Sequence, residues 1–160
     1  MLTPRHFADF REGLVASYEE KISGEAYFSA LAKHYEGRAQ EALRLLSHME
    51  AMTAATIFPV VARHGLKIAD VLILQSEGRR EAEGRRGTGW NELVTQMAEE
   101  FPAYVSEFEE ILAMAPVADA RELGILVDHE AAAVEFARLD RAGNAKSHAP
   151  LHAFIARYSI

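Results

Sequence analysis

The sequence predicts an all-α protein: two antiparallel helix pairs joined by one long connection. Three observations carry this. Apolar residues recur three or four apart along four long stretches, the period of a helix face. Short links centred on Gly37 and Pro116 interrupt the stretches pairwise, whereas residues 66–90 form a long link between the pairs. Strand-type alternation is weak throughout. The 160 residues are read as a single domain, 1–160, with 66–90 as the crossover connection and 145–160 as a tail helix.

The first helix is expected to start at Thr3-Pro4, a hydroxyl cap followed by proline at the first helical position. Phe7, Phe10, Leu14, Tyr18, Ile22, Glu25, Phe28, Ala32 and Tyr35 then fall on one face, apolar or aromatic except at Glu25. Gly37 marks the break. On the second helix Ala39, Leu43, Leu46, Glu50, Thr53, Ile57 and Val60 share a face, again interrupted by one carboxylate. Pro59 is expected to kink it and His64-Gly65 to end it. In the crossover, Leu66 to Gly78 has room for a short helix, and the stretch GRREAEGRRGTG reads as an exposed, mobile loop. The third helix opens at Trp90 and carries Leu93, Met97, Tyr104, Ile111 and Met114, with Pro102 as a kink or restart. The fourth carries Leu123, Leu126, His129, Glu130, Ala133 and Phe136, and Gly143-Asn144 ends it. The tail, APLHAFIARYSI, is apolar enough to cap the bundle or to serve a subunit contact.

Composition narrows the function. A hydrophobic fraction of 49%, a charged fraction of 26% and a net charge of −7 describe an acidic globular chain. That charge argues against nucleic acid or an anionic membrane surface as partner. No apolar run near the length of a membrane span is evident, and the N-terminus has no secretory h-region. There is no cysteine, which removes disulfides, thiolate metal sites and cysteine nucleophiles. A cytoplasmic location is the simplest expectation.

The chemistry centres on carboxylates placed where apolar residues belong. Such a group must be paired, protonated or metal-bound. Glu25 precedes Gly37 by about as much as Glu50 follows it, so both lie roughly 18–20 Å from the turn. Measured from Pro116, His129, Glu130, Tyr104 and Glu107 reach a similar height, with Glu100 competing with Glu107 for the inward position. A mid-bundle layer of Glu25, Glu50, Tyr104 or Glu107, and His129 or Glu130 is therefore expected.

GEAYF on the first helix, SHMEAMTA on the second and VDHEAAAVEFA on the fourth resemble the ferritin-like superfamily, especially its rubrerythrin-like members. The resemblance spans about Thr3 to Gly143. It implies a ferritin-like four-helix bundle with one long crossover between helices 2 and 3 and a short C-terminal helix. In complete members it also implies a di-metal carboxylate centre built from glutamates and Glu-x-x-His pairs. Glu25, Glu50 and Glu130 match the glutamates of the first, second and fourth helices. Thr53 and Ala133 stand where the two histidines belong; His48 is turned about 200° from Glu50, and His129 about 100° from Glu130.

Two functions follow as expectations. One is a metalloprotein holding one or two Fe or Mn ions through Glu25, Glu50, Glu107, His129 and Glu130, for oxygen- or peroxide-linked oxidation. The other is a metal-free ferritin-like scaffold or a small-ligand-binding homodimer. In that reading Glu25 and Glu50 are a protonated pair or hydrogen-bond Tyr18, Tyr27, Tyr104 or Thr53, and His129 is a satisfied core histidine.

Overall fold

The computed structural model describes residues 2–159. Among them are six α-helices and no strand: α1 (Phe10–Leu31), α2 (Gly37–Arg63), α3 (Val71–Gly84), α4 (Trp90–Met114), α5 (Ala120–Arg141) and α6 (Ala149–Tyr158). The helical period written into the sequence is thus realised as an all-α chain.

The first helix starts later than Thr3-Pro4 suggests. Asp9 is its cap, accepting the Glu12 amide at 2.9 Å, while the Glu12 carboxylate accepts the Ala8 amide at 2.8 Å. The residues before Asp9 are drawn elsewhere: the Arg5 amide donates to Glu107 Oε1 at 2.8 Å and its guanidinium to the same carboxylate, which ties this segment to α4. Both internal prolines are absorbed, since α2 continues past Pro59 and α4 past Pro102 without a break.

The crossover needs a larger correction. Much of the stretch read as a mobile loop is helix, because α3 runs through GRREAEG to Gly84. Its buried side is Leu74, Gly78 and Ala82, one residue per turn and mostly small, and that side lies against α1. A Cβ at residue 78 would come 2.1 Å from the Ser23 carbonyl oxygen, so only glycine permits this approach. Charged residues dominate the rest of α3, which is why its sequence looks solvated.

α1 packs along α2, and α4 along α5; α2 also meets α5, and α1 touches α4. Leu14, Leu43, Leu46, Ile111, Leu126 and Phe136 are among the residues they bury together. The tail caps rather than protrudes: Leu151 and Phe154 of α6 are buried, and α6 packs on α5 and α2. Burying each of these two side chains contributes about 1.5–3 kcal/mol. Arg63 and His64 at the end of α2 clamp the buried Asp119, just ahead of α5, at 2.6 and 2.7 Å. By length and a mean hydropathy of 1.3, α2 alone among the described helices is apolar enough to cross a membrane, contrary to the reading of the sequence. Here its Leu43, Leu46, Met49 and Ile57 face the other helices.

Candidate functional site

The buried side of α1 is Phe10, Gly13, Leu14, Ser17, Lys21, Phe28 and Leu31. The face is turned by about one residue from the stripe through Tyr18, Ile22 and Glu25, and it brings a lysine inside. Lys21 is 2% exposed. Its ammonium lies 3.2 Å from Glu50 Oε2 and 3.2 Å from Glu130 Oε1, donating a hydrogen bond to the latter. It also sits 5.0 Å from the centre of the Phe108 ring, a cation–π contact.

Glu50 and Glu130 are each 6% exposed, so their charges are held away from water. Room for Glu50 comes from Gly24, where a Cβ would lie 2.9 Å from the carboxylate carbon. His129, 1% exposed, completes the group: Nε2 stands 3.4 Å from Glu50 Oε1, and Nδ1 is 2.8 Å from the Thr53 hydroxyl. A proton on Nε2 suits the carboxylate it faces and leaves Nδ1 to accept from Thr53. Thr53, which stands in place of an expected histidine, thus orients a different one.

Burial would depress the Lys21 ammonium, but Glu50 and then Glu130 outweigh it and hold the group above the usual lysine range. Burial would likewise raise Glu50, yet Lys21 and then His129 bring it below the usual carboxylate range. The centre is therefore an ionised salt-bridge cluster. Glu50 Oε2 is near Lys21 but off the hydrogen-bond direction, and it has no aligned donor.

The other two expected ligands lie apart. Glu25 is half-buried, and no side-chain hydrogen bond or ion pair ties it to the cluster among the described residues; its carbonyl accepts the Ser47 hydroxyl at 3.1 Å. Of the two candidates on α4, Glu107 is the buried one at 1% exposure, with Glu100 half-buried. Arg5 holds Glu107 through its amide and guanidinium, at 2.8, 3.1 and 2.8 Å. Arg5 also pairs with Glu20.

These donors do not fit a two-metal carboxylate centre. An ammonium already bridges Glu50 and Glu130, a guanidinium holds Glu107, Glu25 lies outside, and His129 is the one candidate ligand left. Lys21 is the residue that the sequence reading missed. Its signal was the small-residue spacing Gly13, Ser17 and Gly24, which marks the packed side of α1, together with the need of two inward carboxylates for a cation.

A cavity of about 280 Å³ opens beside the cluster, walled by all five helices from α1 to α5. Glu20, Tyr27, Glu81, Phe101 and Tyr104 line it together with Lys21, Glu50, His129 and Glu130. Four carboxylates thus face one ammonium. Burial pushes the Tyr27 and Tyr104 phenols up to about 12, so both keep their protons and can donate. Burial also raises the Glu20 carboxyl, against the opposing pull of Arg5.

Comparison with protein families, curated proteins and solved structures returns no match to this chain.

Proposed function

We propose that the chain is a ferritin-like bundle whose own lysine stands where a metal centre would be, and that it binds a small organic cation in the adjoining cavity. The observation that carries this reading is the Lys21 ammonium 3.2 Å from both Glu50 and Glu130. It supplies the positive charge that inward carboxylates require, so they need no ion. The pairing of α1 with α2 and of α4 with α5, across a long connection, supports the ferritin-like part.

The cavity wall sets the ligand class. An excess of carboxylates beside Tyr27, Phe101 and Tyr104 is the surrounding that favours an amine or quaternary ammonium group. Tyrosine hydroxyls and His129 then give direction to a polar substituent. Glu81 lines the cavity without belonging to the Lys21 cluster, whereas Glu20 is paired with Arg5, which leaves Glu81 to meet an incoming cation.

The test pairs two probes of similar size and opposite charge. Benzylamine should shift the Tyr27 and Tyr104 ring resonances saturably, benzoate should not, and Glu81→Gln should weaken the amine. Benzoate binding as well as benzylamine, or no response to either, would end the ligand assignment. Iron and manganese held through Glu50 and Glu130 after reconstitution should stay well below one ion per chain; a stoichiometric complement there would restore the di-metal reading.

A further inference from the structure

Away from the central cluster, the start of α6 brings together three potential ligands that the function above does not use. Glu41 on α2, His148 just ahead of α6 and His152 within it place one donor atom each within 4.8 Å of one another. His148 Nδ1 is 3.7 Å from Glu41 Oε2, and His152 Nε2 is 4.0 Å from Glu41 Oε1. The two histidines are four residues apart at a helix start, so their rings project from one side.

We propose that Glu41, His148 and His152 form a binding site for a borderline divalent cation, zinc in the first place, that fastens α6 to α2. Two imidazoles and a carboxylate, leaving an open position for water, are the donor set such ions take at three-ligand sites. A second observation points the same way. His148 is 6% exposed, yet neither of its ring nitrogens makes a hydrogen bond among the described residues: Nε2 is fully enclosed, and Nδ1 faces Glu41 Oε2 at 3.7 Å. Nδ1, the nitrogen on the side of Glu41, is thus left with a free lone pair, and a cation there would give the buried ring a partner.

The geometry needs only a small closure. Bonds of about 2.0–2.2 Å put neighbouring ligand atoms roughly 3.3–3.6 Å apart, so donors that lie within 4.8 Å of one another must approach by up to about 1.5 Å. The side chains that would move are the free ones: Glu41 and His152 are 54% and 57% exposed. His148 is held against Phe136, ring centres 5.9 Å apart, and acts as the fixed ligand. Glu41 has no lysine or arginine ion pair among the described residues, and the nearby Arg38 is directed to the Ala145 carbonyl and the Ser147 hydroxyl. Asp140 is engaged by Ser147 at 2.7 Å. The carboxylate of this site is therefore free to take a cation.

The test is calorimetric titration of the chelator-stripped full chain with zinc chloride, alongside Glu41→Gln and His152→Ala, two exposed changes that leave the fold intact. The wild type should bind close to one zinc per chain, each variant should bind at least about tenfold more weakly, and zinc should raise the melting temperature of the wild type alone. No saturable binding by the wild type, or binding undiminished in both variants, would overturn the proposal. A third variant, Glu50→Gln, should leave zinc binding unchanged; loss there would place the ion at the central cluster instead.

Discussion

The centre of the bundle and the start of α6 use the same residue types to opposite ends. Each joins buried or half-covered glutamate to histidine. At the centre, Lys21 lies between Glu50 and Glu130, and the counter-charge comes from within the chain. At the edge, Glu41 meets two imidazoles, and among the described residues no lysine or arginine pairs with it. A glutamate–histidine cluster is therefore not a metal site by composition. What decides is whether the chain has already provided the cation.

The largest break in this comparison is Lys21→Met, which leaves Glu50 and Glu130 buried without their counter-charge. It should lower stability by about 3–5 kcal/mol, read from the urea midpoint. Adding Glu50→Gln and Glu130→Gln to that variant should return part of the loss, since the penalty lies in unpaired charge. Additive losses in the triple variant would show that the cluster is not a coupled unit.

Stability against pH separates the two regions next. Glu50 is held below its ordinary value of 4.5, so its contribution is complete above that pH and lost as pH falls through the folded value. Lys21 is held above its ordinary 10.5, so its contribution is complete below that pH and lost as pH rises through the higher folded value. Urea midpoints in the Lys21→Met variant should accordingly show weaker losses at both extremes than the wild type.

Thr53→Val removes the partner of His129 Nδ1 and should cost about 1–3 kcal/mol, detectable by thermal melting. At the edge, metal-free His152→Ala should stay within about 0.5 kcal/mol of the wild type, because its exposed ring supports nothing without an ion.

The helical class, the two tight links and the stops at His64-Gly65 and Gly143-Asn144 were legible because period and glycine chemistry are local. Glu50, Glu130 and His129 were legible as inward groups for the same reason, and the structure brings them together. Glu25 was not, because a face one residue away fits the same spacing nearly as well, and only packing against α2 and α3 decides between them. Lys21 was hidden by the ordinary expectation that lysine points outward. α3 was hidden because Gly78, a helix breaker in isolation, is what lets that helix lie on the α1 backbone. The Thr3-Pro4 signal was outweighed by a distant partner, the Glu107 carboxylate that draws Arg5 away.

The most direct test of the lysine-for-metal account is to observe the Lys21 ammonium itself, by nitrogen-15 NMR of lysine-labelled protein in a His152→Ala background. The account predicts one slowly exchanging ammonium resonance that remains charged at pH 10.5 and is unmoved by stoichiometric manganese. A Lys21 that titrates below the ordinary lysine value, or whose signal manganese erases, would contradict it.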